Sequence, residues 1–383
     1  NLFVATGTGS GKTECFMWPI IYKLVNEAIH KSETWKQRGV RTIVIYPMNA
    51  LVSDQISRLR SIIGDQNNQF INILRKYAPD VRRPQFGMYT GRTPYSGDRL
   101  EKKSNEEIAE SYSNSFLVND DLTEDQKNEQ MKDIEGLKKI NKYPSKDIKG
   151  LVRSLKANDL QHYDSSNDAE LLLRYEMQHN TPDILITNYS MLEYMLIRKI
   201  ENNIWNDTKH WLNESEENKL LIIVDEAHMY SGASGGEVAL LIRRLFAKLG
   251  IGNEKVQFIM TSASMPNENS DDFKYIKNFA ENLSGCNSNT FEYLFGEKEK
   301  ITIKDEVKFD LNALANLNLD NSILDDDTIN KNIEIFAKEI FNETIKINHR
   351  VWLYNNMLRY KPFLTLLEKC RGIATPYDEL QNE

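Results

Sequence analysis

Apolar, β-branched runs alternate with stretches of helical periodicity along much of this chain. Phe3-Val4-Ala5 enters a glycine-dense turn, and apolar positions then recur at helical spacing at Phe16, Ile20 and Leu24 and at Trp18, Ile21 and Val25. That order predicts strand, loop, helix. Residues 40–47 form a β-branched run ended by Pro47, a buried strand, and Leu51, Ile56, Leu59, Ile62 and Ile63 continue it as a helix. Residues 85–91 predict a short strand closing on Thr90-Gly91. Residues 182–189 predict a strand running into a helix through Met191, Leu192, Met195 and Leu196. Leu220-Leu221-Ile222-Ile223-Val224 is the most apolar strand, followed by a flexible loop at 231–236, a helix at 237–249 and a strand at 256–260. Strands alternating with helices at this spacing imply right-handed crossovers, hence an α/β fold with a mainly parallel sheet.

Between residues 94 and 180 the pattern changes. Aromatic and β-branched residues thin out, and Asp, Glu, Lys, Asn and Ser dominate, which reads as a mostly helical charged insertion with helices at 124–140 and 169–178. Lys142, Lys146, Lys149, Arg153 and Lys156 recur there at near-helical spacing and could contact phosphates. The equal frequency of acidic residues nearby favours a solvated face instead. Beyond residue 266 the pattern is less regular, with helices expected at 273–283, 329–341 and 351–367 and a strand at 300–308.

Composition narrows the class without deciding it. The 383 residues exceed one typical domain, and 40% hydrophobic with 27% charged residues is ordinary for a globular chain. A net charge of −8 argues against a bulk polybasic nucleic-acid binder but leaves room for a local phosphate-binding cleft. Cys15, Cys286 and Cys370 lie far apart with no zinc-knuckle spacing, which suggests a reducing, cytoplasmic compartment. No apolar run approaches membrane-spanning length.

The candidate chemistry sits at the ends of the predicted strands. Residues 6–13, Thr6-Gly7-Thr8-Gly9-Ser10-Gly11-Lys12-Thr13, place a glycine-rich turn between strand and helix. There the backbone N–H groups of Thr8, Gly9, Ser10, Gly11, Lys12 and Thr13 can surround a polyphosphate at a positive helix terminus. Lys12 would reach the β and γ phosphates, and the Thr13 hydroxyl would ligate Mg²⁺. Thr6 stands where the usual phosphate-loop pattern has glycine. The apolar strand at 220–224 ends in Asp225-Glu226, giving a carboxylate for Mg²⁺ and a second that would orient and deprotonate water. ATP and Mg²⁺ are therefore the expected cofactors, with Lys12, Asp225 and Glu226 catalytic and Thr13 and Asp225 on the metal.

Asp225-Glu226-Ala227-His228 together with the phosphate loop resembles the motifs of superfamily 2 DEAD/DEAH-box helicases. Tyr46-Pro47-Met48-Asn49-Ala50-Leu51 with Asp54-Gln55 is similar to motif Ia, Thr90-Gly91 to the adjoining glycine turn, and Thr187-Asn188-Tyr189-Ser190-Met191-Leu192 stands in the place of motif Ib. Ser262-Ala263-Ser264 resembles motif III, with Ser264 where Thr is commoner. The resemblance implies a RecA-like P-loop NTPase domain. It implies that Pro47, Asn49, Thr90, Gly91, Thr187 and Asn188 line a nucleic-acid track and that His228, Ser262 and Ser264 couple it to ATP. Residues 225–232 with Gly235-Gly236-Glu237 and 241–245 are similar to MrfA-like helicases with a cysteine-rich C-terminal domain, whose members act in DNA repair and, in some bacterial relatives, in anti-phage defence.

On this reading residues 1–93 and 181–266 form the first RecA-like domain, 94–180 the insertion, and 267–383 a connector and mostly helical extension toward a second RecA-like domain of the same polypeptide. Asn1 opens directly on a strand, and Thr375-Pro376 begins a helix just before Glu383, so a piece of a longer protein is expected. No adenine-reading segment precedes Asn1 and no motif VI arginine follows, so this stretch alone should bind ATP poorly and turn it over very slowly. The expected partner is single-stranded DNA, with a protein interface on the insertion and no membrane. An RNA helicase and an ATP-gated clamp or sensor that does not unwind are the rivals. A phosphate-loop enzyme unrelated to nucleic acid fits the four motifs least.

Overall fold

The computed structural model of the protein describes residues 1–7, 11–94, 102–119, 122–230, 232–263, 273–296, 311–319, 324–357, 359–361 and 363–364. Expectations for Thr8, Gly9, Ser10, Ser264, the strand at 300–308 and the helix start at 375 lie outside them. Contacts divide the chain into two units, residues 1–297 and 298–383.

Among the described residues the first unit is built on eight strands: β1 (Leu2–Ala5), β2 (Thr42–Tyr46), β3 (Phe86–Tyr89), β4 (Glu170–Leu171), β5 (Ile184–Asn188), β6 (Leu220–Val224), β7 (Val256–Ser262) and β8 (Glu292–Phe295). They form one sheet in the order β4-β3-β5-β2-β6-β7-β1-β8, and every pairing is parallel. The expected α/β class is the observed one. The helices of this unit are α1 (Lys12–His30), α2 (Ser32–Lys36), α3 (Asn49–Ile62), α4 (Gln69–Tyr77), α5 (Lys102–Phe116), α6 (Glu124–Lys139), α7 (Ile148–Ala157), α8 (Arg174–His179), α9 (Tyr189–Ile197), α10 (Asn202–Glu214), α11 (Gly232–Leu249) and α12 (Phe273–Ser284).

Two-residue alternation explains why the central strands are apolar throughout. In β6, Leu220, Ile222 and Val224 join the core beneath α9–α12, while Leu221 and Ile223 join the opposite core beneath α1, α3 and α4. Ile43 and Ile45 of β2 point one way and Val44 and Tyr46 the other. Both faces are covered, so both need apolar side chains. In α1 the buried apolar positions are Phe16, Met17, Ile20, Ile21, Leu24 and Ala28. Trp18, expected to share in that packing, is 62% exposed because it lies on the outer side of the helix.

Three local expectations are corrected. Residues 169–178 are not one helix: Glu170 and Leu171 pair with Phe86 and Gly87 as β4 before α8 begins. Glu170 is held there by two 2.7 Å hydrogen bonds from Arg60 of α3. The less regular stretch after 266 supplies β8, an edge strand beside β1. The glycines after Ser231 do not form a loop, because α11 already begins at Gly232. A Cβ on Gly235 would lie 2.3 Å from the Tyr230 carbonyl oxygen, so this glycine permits close backbone approach.

The amino ends of the strands are clamped by buried charge. Arg41, fully buried, donates to Glu27 (2.8 and 3.2 Å) and to the carbonyls of Thr34, Gln37 and Gly39, and lies 3.5 Å from Asp183. Its guanidinium stacks over Trp211 at 4.6 Å, and Trp211 donates to Glu27 at 2.8 Å. Arg82 grips Asp183 through bonds of 2.8 and 2.6 Å.

The second unit has helices α13 (Leu311–Asn316), α14 (Asp326–Phe336), continued by a π-helical turn at Ala337–Phe341, and α15 (His349–Met357). Ile333, Phe336, Phe341, Trp352 and Tyr360 form its core.

Candidate functional site

A parallel sheet delivers the residues that follow each strand to one edge, beyond the strand carboxyl ends. Here the order of strands divides that edge. β6, β7 and β1 bring Asp225, Glu226, Ser262 and the phosphate loop together, and β2, β5 and β3 bring Pro47, Asn188 and Thr90 beside them.

Gly11 initiates α1 with φ +81°, a left-handed conformation that strains any other residue, and so turns the loop into the helix. Lys12 follows, 9% exposed, and its buried Nζ makes no hydrogen bond among the described residues. Glu226 Oε1 lies 3.5 Å from it. Glu226 itself sits at φ 49°, ψ 47°, an uncommon backbone state for a non-glycine residue that turns the chain sharply out of β6. This aims its carboxylate back at Lys12. Glu226 Oε2 lies 3.4 Å from His228 Nδ1, and that nitrogen is 3.3 Å from Ser262 Oγ. Lys12, Glu226, His228 and Ser262 therefore form one continuous polar line from α1 to β7.

Asp225 is the deeper carboxylate. It accepts hydrogen bonds from the Thr261 hydroxyl and, at 3.0 Å, from the Glu226 N–H. Burial pushes its carboxyl above the usual range against the pull of the Thr261 bond; the Glu226 charge adds to the rise, and the Glu226 N–H and Lys12 oppose it. A cation beside it would reverse that rise. Thr13 accepts from Gln55 Nε2 of α3 at 3.3 Å, which fixes its hydroxyl at the start of α1. Among the described residues no group of three or more His, Cys, Asp or Glu side chains is arranged to hold a metal. The donors present are one carboxylate and one hydroxyl, the sparse set from which Mg²⁺ is bound when substrate phosphates and water complete its shell. The buried, hydrogen-bond-free ammonium of Lys12 and this donor set fit a magnesium nucleotide.

Thr261 had no role in the sequence reading, and Gln55 entered it only through the resemblance to motif Ia. Strand register supplies the missing signal for Thr261: Val224 pairs with Met260, so Asp225 and Thr261 come next to each other at the strand ends. Nothing in the spacing of Gln55 points to Thr13, because the contact depends on how α3 crosses α1.

On the other half of the edge lie the residues expected along the nucleic-acid track. Thr187, fully buried, donates to the Tyr89 carbonyl at 2.7 Å. Thr90 is buried as well: its hydroxyl accepts from Arg92 N–H and its carbonyl accepts from Arg174 at 2.7 Å. These hydroxyls hold the edge in shape. Asn188 caps α9 by accepting from the Met191 N–H at 2.8 Å, Gly91 is exposed, Pro47 is half-buried, and Asn49 is the first residue of α3.

Comparison with known proteins adds the following. The DEAD/DEAH box helicase family model matches residues 1–93 and 137–273. Druantia protein DruE of Escherichia coli (strain UMEA 4076-1) is 36% identical over 413 residues, covering 98% of this chain and 21% of that protein. An uncharacterized ATP-dependent helicase of Methanocaldococcus jannaschii is 28% identical over 102 residues, 27% of this chain and 14% of that protein. The chain thus spans about a fifth or less of the length of these curated relatives. The crystal structure of the DUF1998 helicase MrfA bound to DNA and AMPPNP matches at 18% identity with a TM-score of 0.36, covering 77% of this chain and 24% of that chain. Another crystal structure of MrfA has the same identity and TM-score and covers 99% and 38%.

Proposed function

Because the chain belongs to the DEAD/DEAH box helicase family, we propose that it supplies the first motor domain of a protein that couples ATP hydrolysis to movement along single-stranded DNA. The observation that carries this reading is the polar line Lys12–Glu226–His228–Ser262, which starts at the phosphate loop after β1, passes the acidic residue after β6 and ends on β7, the strand between those two.

In this reading Lys12 and the N–H groups of the loop would hold the β and γ phosphates, and Thr13 and Asp225 would hold Mg²⁺, whose chemistry when bound would be to neutralise phosphate charge. Asp225 stays in place through Thr261. Glu226 accepts the proton of the attacking water, its carboxylate held by the left-handed turn after β6. His228 senses Glu226 on one side and passes the change to Ser262 on the other. On the neighbouring half of the edge, backbone at Gly91 and the amino end of α9 at Asn188 contact phosphates without reading sequence. A second RecA-like domain of the same polypeptide completes the nucleotide site. Among the described residues no helix is long and apolar enough to cross a membrane.

Strand displacement by the whole protein on tailed duplexes tests the motor directly. ATP-dependent displacement supports it. Turnover stimulated by DNA with no displacement, and no ejection of a protein block from a single strand, assigns an ATP-gated clamp instead; displacement confined to RNA assigns an RNA helicase.

A further inference from the structure

The lysine-rich stretch of the insertion is divided by the fold into two sets with different fates. Lys146 is buried and bonded to Asp168 at 2.7 Å and Glu176 at 2.5 Å, so it holds α7 to the loop before β4 and is lost to any outside partner. Lys149, Arg153 and Lys156 are exposed. They lie at i, i+4 and i+7 along one stripe of α7, whose other side buries Ile148, Leu151, Val152 and Leu155.

That stripe forms one wall of a groove of about 1010 Å³ among α5, α6 and α7. Lys138, from the last turn of α6, adds a fourth cation, with its ammonium 5.0 Å over the Tyr143 ring. Glu135 is the one carboxylate in the lining among the described residues, against four cations. None of the four cations forms an ion pair among the described residues. In a chain of net charge −8, a solvated face would mix signs; unpaired cations gathered on one concave wall repel one another and favour a polyanion. The floor carries Phe116 and Tyr143, packed edge to face with centroids 5.6 Å apart. Cations that track a backbone over aromatic rings that accept unstacked bases are the two requirements of a single-strand site. A duplex keeps its bases stacked and cannot use the rings.

We propose that this groove is a second contact site for single-stranded nucleic acid, distinct from the carboxyl edge of the sheet, in which Lys149, Arg153 and Lys156 hold three successive phosphates. It rests on the reading of the protein as a nucleic-acid motor and gives the insertion a task within it: gripping the strand away from the nucleotide site.

The test is fluorescence anisotropy of a labelled single-stranded oligonucleotide of about 20 nucleotides with the full-length protein, titrated between about 50 and 200 mM salt. The variants are the triple Lys149→Ala/Arg153→Ala/Lys156→Ala and the single Tyr143→Leu. Three lost phosphate contacts should flatten the slope of log K against log salt by about 2 and weaken binding about tenfold at low salt. Tyr143→Leu should weaken binding with the slope unchanged. ATP-analogue affinity and thermal melting of the triple variant should match the wild type, which separates lost contact from lost fold. Wild-type binding with an unaltered slope in the triple variant overturns the groove and leaves the motor reading standing. A wild type that binds no oligonucleotide overturns both. Unaltered oligonucleotide binding with loss of an acidic peptide ligand overturns the proposal in favour of a protein partner.

Discussion

The Lys12 ammonium and the Glu226 carboxylate face each other across 3.5 Å, one at the start of α1 and the other just past β6. Without nucleotide each offsets the charge of the other in a poorly solvated place. On the proposed function, a polyphosphate drawn to Lys12 would take over that role and release Glu226 for water. The left-handed backbone at Glu226 makes the relation possible, and its local strain is of the kind that persists where the surroundings determine the conformation.

Two variants separate the partners. Lys12→Ala removes the cation proposed to hold the phosphates and should lower ATP affinity at least about tenfold, a loss of one or more charge-assisted hydrogen bonds. Glu226→Gln keeps shape and loses the proton acceptor, so ATP should still bind while turnover falls by about 10² to 10⁴. Nucleotide binding and phosphate release, measured side by side on the whole protein, check both; full turnover in Glu226→Gln removes its assigned role.

His228→Ala and Ser262→Ala interrupt the polar line between Glu226 and β7 and leave Lys12, Thr13 and Asp225 in place. Both should leave turnover in the absence of nucleic acid within about fivefold of wild type, since one lost hydrogen-bonding contact is worth about 1 kcal/mol. Both should lose most of the stimulation by nucleic acid. Equal loss of basal and stimulated turnover would place these residues in catalysis rather than coupling.

Arg41 clamps the opposite end of the sheet. Arg41→Ala leaves Glu27 buried without its main partner and removes three bonds to carbonyl groups, so it should destabilise the fold by about 3–5 kcal/mol. A shift of the urea midpoint with unchanged slope measures it.

Lys23 of α1 carries a pH dependence of definite sign. Burial lowers its pKa to about 8 against the pull of Glu27, and Arg41, Lys31 and Lys219 lower it further. The folded state then binds fewer protons than the unfolded chain between pH 8 and the ordinary lysine value of 10.5, so this group makes the protein more stable as pH rises through that window. Below it the full cost of the buried charge is present. Lys23→Met should therefore stabilise the protein at pH 7, and the gain should shrink toward pH 10. Chemical denaturation at several pH values shows the trend, and a gain constant with pH would contradict it.

The parts of the molecule legible in the sequence are those written in short-range pattern. The runs at β2 and β6 need apolar residues on both faces, and this fixes them as central strands. Asp225 and Lys12 could be placed at one edge because a parallel sheet permits nothing else. What escaped notice is long-range and polar. The strand pairing of Glu170 depends on Arg60, and Lys146 is distinguished from Lys149 only by Asp168 and Glu176 behind it. The burial of Thr90 and Thr187 arises because their hydroxyls brace neighbouring loops and strands. No periodicity separates a buried, satisfied polar residue from a solvated one.

The central claim, an ATP-driven motor on single-stranded DNA, is tested most directly by ATP turnover of the full-length protein with and without single-stranded DNA and RNA, beside Lys12→Ala and Glu226→Gln. Stimulation by single-stranded DNA that both variants abolish is the predicted result. Turnover that is absent, or the same with and without nucleic acid, would contradict it.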